Sequence, residues 1–367
     1  MPAGVSKEER ILSIDVLRGF DMLMIIFADR FFYHLHEGAQ LPWTGFLALQ
    51  FEHPEWLGFH FYDIIMPLFL FLVGAVIPYS ISARVQQQTG RKRLYRRIFR
   101  RVLILFVLGW IVQGNLLAWD LDQFKIFSNT LQAIAVGYLF SALAYIHLKP
   151  KDQYILFAAC LIVYALVQAF LPVPGSGRSI LEPDKNFAIY FDRLVFGRFD
   201  DGLQYTWLLS GLGFTATTLS GLFAGELIKS DRSRKQVALL LLLIGLSSFA
   251  VGLIWGMWHP IVKKIWSSSF VLFSSGLCFM LLSGFYWLID VKRIRGWIFP
   301  LRVIGMNAIT AYVLSHVIDF SEIANFLLFG TEQFLGSYYE AVSILGGAAI
   351  LYWLLWYMYR NGSFVKV

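Results

Sequence analysis

Charge is what this chain has least of. Asp, Glu, Lys and Arg together make up 15% of its 367 residues, well short of the quarter or so usual in a soluble domain. Cysteine is scarcer still. Cys160 and Cys278 both fall within apolar stretches, which excludes a disulfide framework or a thiolate metal site and leaves two small core residues. There is no phosphate loop and no dinucleotide glycine fingerprint. No low-complexity tract or long linker divides the chain, and no internal duplication of the inverted-repeat kind is visible. The first apolar segment carries Asp15, Arg18, Asp21 and Asp29, too much charge for a cleavable signal core, and reads as a first helix of the mature protein.

Long hydrophobic runs are what the chain has most of. The sequence is 57% hydrophobic, and stretches able to cross a bilayer recur about ten times. They lie near 12–34, 60–82, 99–118, 127–147, 153–172, 206–228, 236–257, 267–289, 299–319 and 340–359. Only helices or closed barrels satisfy their backbone in lipid, and these runs are too long for barrel strands. The expected fold is therefore all-α: a polytopic integral membrane protein with one transmembrane domain over 12–360, a tail at 1–11 and a second tail at 361–367. Most of the 31 basic residues fall in connections on one side, at 84–101, 149–151, 229–235 and 292–302. That side is predicted to be cytoplasmic, with both termini on it. The net charge of +7 is then mostly topology, so a lipid bilayer is the expected partner and nucleic acid is not. Of the opposite connections, 35–52, 173–205 and 320–339, the extracytoplasmic loop at about 173–205 is the longest. It reads as a wall over an external site or as a plain connector.

Ionisable groups at membrane depth carry the functional signal, because each costs about 2.5–3.5 kcal/mol at the centre of a span. His53 opens His-Pro-Glu-Trp-Leu-Gly-Phe-His-Phe-Tyr-Asp, which runs straight into the second apolar stretch. Were a helix to begin at Pro54, His53 would sit at its positive end and be kept neutral. A neutral imidazole suits a general base or an acyl acceptor. Positions 53, 56, 60, 63 and 67 would then share one helical face: His53, Trp56, His60, Asp63 and Pro67. The plainer reading is an interfacial histidine beside a belt tryptophan. Asp63 either orients a catalytic group or pairs for structure. Asp29 and Arg30 approach the same end. Asp15 and Arg18 are expected to form an ion pair near the cytoplasmic surface, or else to contact an anionic ligand. The basic run containing Arg97 and Arg101 is either a topology signal or a landing surface for a phosphorylated cytosolic donor such as coenzyme A. His34 and His36 do not make a convincing metal site with His53 and His60, and no metal is expected. Asn307 interrupts a late apolar stretch, with His316 nine positions on. It bonds between helices or lines a ligand channel.

These residues resemble the heparan-α-glucosaminide N-acetyltransferase family of transmembrane acyltransferases. The likeness is carried by Arg10-Ile-Leu-Ser-Ile-Asp-Val-Leu-Arg-Gly19, and by His53, Trp56, Gly58, Asp63, Pro67 and Gly74. It continues through Leu131-Gln-Ala-Ile-Ala-Val-Gly-Tyr138, then Pro260, Lys263, Trp266, Gly305-Met-Asn307, Tyr312 and His316. The resemblance implies transfer of an acetyl group from cytosolic acetyl-CoA to a glucosamine-like amine across the membrane, with His53 as the catalytic residue. It implies supporting roles for Asp29 and Asp63 and substrate or donor contacts at Asp15, Arg18, Trp56, His60, Arg97, Arg101, Lys263, Asn307 and His316. It also implies a homodimer. The form resembled lacks the luminal domain and extra first span of animal members, which points to a bacterial inner (cytoplasmic) membrane. Asp29 stands where the family commonly has asparagine, and the connection between the first two spans is longer. Two mechanisms stay open: His53 as base in a ternary complex, towards which the single site leans, or an acetyl-histidine intermediate. The competing class is a proton-coupled secondary transporter of a sugar or small anion, using His53 and Asp63. A partner subunit without activity would need no such cluster.

Overall fold

A computed structural model describes residues 11–86, 91–175, 177–178 and 181–364. Arg10, nearly all of the expected N-terminal tail and the last residues of the C-terminal tail lie outside them. The chain runs from helix to helix. α1 (Leu12–Leu23) passes through a π-helical turn (Met24–Ala28) into α2 (Asp29–Ala39), followed by α3 (Pro42–Gln50). Residues 51–60 are irregular, and a 3₁₀ turn (Phe61–Ile64) then leads into α4 (Ile65–Ala75) and α5 (Ile77–Gln86). Next come α6 (Arg91–Val112), α7 (Thr130–His147) and α8 (Pro150–Phe170). The long connection that follows holds a two-residue antiparallel ribbon, Pro172–Val173 against Gly177–Arg178, and α9 (Phe187–Phe196). The remainder is α10 (Ser210–Lys229), α11 (Arg234–Gly256), α12 (Ser268–Tyr286), α13 (Ile298–Met306), α14 (Ala308–Val317), α15 (Phe320–Leu328), α16 (Glu332–Leu335) and α17 (Tyr339–Arg360).

Among the described residues, six helices are long and apolar enough to cross a membrane. They become seven if α13 and α14, bent by 76°, form one broken span. About ten were expected. The other expected stretches are helical too, but their composition differs for physical reasons. α1–α2 carries Asp15, Arg18, Asp21, Asp29 and Arg30, and α6 begins in the basic run. α10 is rich in Gly, Ser and Thr because it is interior. It packs against α4, α7, α8 and α12 and presents little surface to lipid. Helices in a bilayer associate through small residues that let backbones approach. A Cβ on Gly221 would lie 1.8 Å from the Phe71 carbonyl oxygen, and one on Gly74 1.9 Å from that of Thr218, so α4 and α10 cross almost in backbone contact. α1 and α13 cross in the same way at Gly19 and Gly305. α8 and α11, by contrast, expose Ile155, Ile162, Leu166, Leu243 and Leu246, as lipid-facing helices do.

Asn307 stands at the break between α13 and α14. Its side-chain amide donates to the carbonyls of Val303 (3.1 Å) and Leu355 (3.4 Å), tying the bend to α17. That is the helix-bonding alternative of the two read from sequence. The starts of α4, α7 and α10, the end of α14 and the loop just before α12 meet at one end of the bundle, around a common cavity.

Candidate active site

The shared helical face expected for positions 53–67 does not form. Pro54 and Gly58, whose φ of 111° suits glycine alone, keep residues 51–60 out of a helix, and the first helical turn begins at Phe61. His53 reaches Asp63 by the curl of this loop instead. Asp63 is fully buried. One of its oxygens accepts from the His60 backbone N–H at 2.9 Å, which caps the turn and fixes the carboxylate. The other lies 2.7 Å from His53 Nδ1 and 3.4 Å from Lys263 Nζ. Lys263 Nζ is also 3.0 Å from His53 Nε2 and 3.2 Å from Nδ1. The carboxylate assigns the proton to Nδ1, so Nε2 is the acceptor turned to the ammonium. Tyr62 stacks on the imidazole, ring centres 5.0 Å apart.

The electrostatics follow from burial. It holds the His53 imidazole below the usual histidine range, with the Asp63 hydrogen bond opposing and the Lys263 charge adding to the effect. Asp29 also acts on His53 through space, favouring the protonated form. Burial brings Lys263 down to about 8, against the pull of Asp63. A carboxylate, a neutral imidazole and an ammonium on the edge of neutrality are thus held together. His53 and Lys263 open onto a cavity of about 270 Å³ whose walls also include Tyr62, Tyr205, Trp207 and His316, and the buried Asp63 holds both from within the protein.

The other residues singled out in the sequence divide. His316 lines the cavity, its Nδ1 donating to the Tyr312 carbonyl at 2.8 Å and its ring against that of Tyr312. Trp56 turns outwards, its indole N–H donating to the Leu181 carbonyl of the long connection at 2.8 Å. His60 turns away, Nδ1 on the Glu52 carbonyl at 2.8 Å. Arg30 pairs with Asp319 at 3.2 Å, and Asp15 with Arg18 at 3.5 Å as expected. Arg97 and Arg101 belong to the opposite end. From Arg101, whose guanidinium lies 4.3 Å over the Tyr138 ring, α6 runs roughly 18 Å further before Gln113 reaches the cavity. Gln132 ties its own turn, holding the Ser128 N–H and the Ile126 carbonyl. Among the described residues no three His, Cys, Asp or Glu side chains gather as metal ligands would. His34 is bound to Glu37 and His36 to Thr44.

Reading the sequence missed Trp207 and Lys264, whereas Tyr205 ends the 173–205 connection, one of whose two readings was a wall over an external site. Trp207 and Lys264 come from loops far from His53 in the chain, and nothing in their local spacing marks them. The ties between loops are visible only in three dimensions: the Gly58 N–H donates to the Ile261 carbonyl, and the Thr206 N–H to the Lys264 carbonyl.

A helical integral membrane protein with a carboxylate–imidazole–ammonium cluster at one end is a recognisable class of chemistry. The family model described as heparan-alpha-glucosaminide N-acetyltransferase, catalytic, matches residues 10–251, about two thirds of the chain, and the chain belongs to this family. It is similar to the human protein named heparan-alpha-glucosaminide N-acetyltransferase, 24% identical over 377 residues, covering 84% of this chain and 53% of that protein. The mouse protein of the same name is 23% identical over 374 residues, covering 86% and 54%. The chain thus spans about half the length of the curated relatives it matches. His53, Asp63 and Asp29 fall inside the family match, whereas Lys263, Asn307 and His316 lie beyond it.

Proposed function

We propose that the chain is a transmembrane acetyltransferase that moves an acetyl group from cytosolic acetyl-CoA to an amino sugar on the other side of the membrane. The observation that carries this reading is the Asp63–His53–Lys263 cluster opening onto the cavity. In this reading the basic connections face the cytoplasm, both termini lie there, and all of the expected stretches cross. The protein is then an inner-membrane enzyme, with a second copy as its partner.

Chemically, the acceptor amine enters the cavity and displaces the ammonium from Nε2. The amine nitrogen attacks the thioester carbon while His53 Nε2 takes its proton, and Asp63 steadies the imidazolium through Nδ1–H. Lys263, released but still held by Asp63, donates to the developing oxyanion. The carbon–sulfur bond then breaks, and the proton on His53 passes to the departing thiolate. The products are an amide and coenzyme A, with no net proton left on the protein. Direct transfer in a ternary complex needs only this one cluster. Asp29 supports the imidazolium by charge, His316 and Tyr312 shape the cavity, and Trp56 holds the outer loop. Arg97 and Arg101 meet the donor's charge at the basic face, with Asp15 and Arg18 beside its path. General bases contribute about 10²–10⁴-fold and an oxyanion donor about 10²–10³-fold.

The test is turnover of acetyl-CoA with glucosamine by the purified protein, alongside His53→Ala. Acetylated product lost in the variant is expected. Unchanged product would sink the assignment of His53, and absence of donor binding in folded protein would remove the acetyltransferase reading. Acetylated protein formed with donor alone would replace direct transfer by an acetyl-histidine.

A further inference from the structure

Lys263 is not the only donor that the cavity wall can offer the reacting carbonyl. The Thr206 N–H donates to the Lys264 carbonyl at 3.0 Å, which ties the segment before α10 to the segment before α12. The residues preceding that pair, Tyr205 and Lys263, both line the His53 cavity. A phenol and the ammonium of the cluster thus reach one cavity from two loops joined at the backbone.

The Tyr205 ring is braced. It stacks on Trp207 with ring centres 6.2 Å apart, and Trp207 stacks in turn on Phe127 at 5.0 Å. Trp207 is itself pinned, its backbone N–H on Asp192 at 2.5 Å and its indole N–H on Asp201 at 2.8 Å. The hydroxyl of Tyr205, by contrast, is uncommitted. A buried tyrosine usually finds a partner for its O–H. Tyr164 does so here, donating to the Ile265 carbonyl and accepting from Gln168. Tyr205 is half-buried on the cavity wall, and its hydroxyl makes no hydrogen bond to any described residue. Phenylalanine would complete the same stack, so packing does not account for the oxygen. Burial pushes the phenol up to about 12, and the charges of Asp63 and Asp201 act in the same direction. The group is therefore a donor well beyond the pH at which Lys263 loses its charge.

We propose that Tyr205 is a further catalytic residue of this site: beside the Lys263 ammonium, its O–H donates to the thioester carbonyl oxygen as that oxygen takes up charge. Its role rests on the acetyl-transfer reading. When the amine nitrogen attacks, the carbonyl π pair moves onto oxygen, whose lone pairs can receive two donors at once. The pair returns to carbon as the carbon–sulfur bond breaks, and Tyr205 keeps its proton throughout.

The test compares the purified full chain, Tyr205→Phe and the chain carrying fluorotyrosine at position 205, each with acetyl-CoA and glucosamine. No product from the unaltered chain would remove the acetyl-transfer reading, and this role with it. Given turnover, Tyr205→Phe preserves the stack and is expected to lose about 10²-fold in kcat, with acceptor KM little changed. Above the fall near pH 8 the unaltered chain should settle on a lower plateau held by the phenol, and Tyr205→Phe should show none. Fluorotyrosine puts a more acidic donor on the same ring. It should keep most of kcat and end that plateau at lower pH. Full kcat in Tyr205→Phe, or a loss confined to KM, would overturn the role of Tyr205 while leaving acetyl transfer intact. Should Tyr205→Phe misfold, the fluorotyrosine profile decides: a plateau that persists unmoved overturns the role as well.

Discussion

Between Asp63 and Lys263, His53 has little freedom: one nitrogen is committed to the carboxylate and the other is free to act once the ammonium moves. This arrangement sets the pH dependence. The imidazole must be neutral to take a proton, and burial moves its titration below the ordinary histidine value. The ammonium must be charged to donate, and it is lost as pH rises through about 8. The kcat/KM profile, which reports the free enzyme, should therefore rise through a pKa below 6.5 and fall through one near 8. Lys263→Arg should carry the falling limb to higher pH, because a guanidinium does not deprotonate there. A falling limb unmoved in that variant would show that Lys263 is not the titrating group. Asp63→Asn offers an amide where a carboxylate held Nδ1–H, so the wrong tautomer becomes available. A loss of about 10²-fold or more in kcat, with KM little changed, is the expected result of steady-state assays.

Packing decides matters one scale up. The crossing of α4 and α10 leaves no room for a side chain at Gly221, so Gly221→Leu must separate the helices. Overpacking of this kind costs about 1–3 kcal/mol or more, and the thermal midpoint in detergent should drop accordingly. An unchanged midpoint would mean the crossing is looser than described. A second element-scale device is Asp192 on α9, fully buried, whose carboxylate accepts from the backbone N–H groups of Trp207 (2.5 Å) and Leu208 (3.2 Å). Burial and the nearby Asp200 and Asp201 push it up to about 7, opposed by the two hydrogen bonds. Asp192→Ala strands those two groups, at about 1–3 kcal/mol, and frees Trp207 from the cavity wall. KM for the acceptor should rise, which a lost contact elsewhere in the long loop would not cause. The elements were largely legible beforehand because lipid favours apolar helices, and each expected stretch is helical, though 299–319 breaks by 76° between α13 and α14. The cavity was legible only in part. His53, Asp63 and Lys263 were named in the sequence, but the joint face was drawn as a helix because three- and four-residue spacing is all that a linear pattern offers. Pro54 and Gly58 held the contrary signal. Trp207 and Lys264 carry no local signal, since their position depends on how distant loops pair, while Tyr205 was legible only as part of the 173–205 connection.

For the molecule as a whole, the proposed reaction stands or falls on sidedness, since donor and acceptor must arrive from opposite faces. α8 is the sharpest place to ask. It joins Lys149, exposed on the basic side, to the long connection holding Lys185, also exposed, and shows Ile155, Ile162, Val163, Leu166 and Phe170 outwards. With 21 residues it extends about 31 Å, enough to cross the hydrocarbon of a bilayer. Were it to lie along the surface, that apolar face would have nothing to cover it on one flank, and its backbone would not need such continuity. Both native cysteines are buried, so single introduced thiols can be followed against a quiet background. Lys149→Cys should react with a membrane-impermeant maleimide only from the cytoplasmic side, and Lys185→Cys only from the other. Labelling of both from one side would show that α8 does not cross. Labelling with the two sides exchanged would keep the span but put the His53 cavity in the cytoplasm, where a cytosolic donor and an external amine could not meet as proposed.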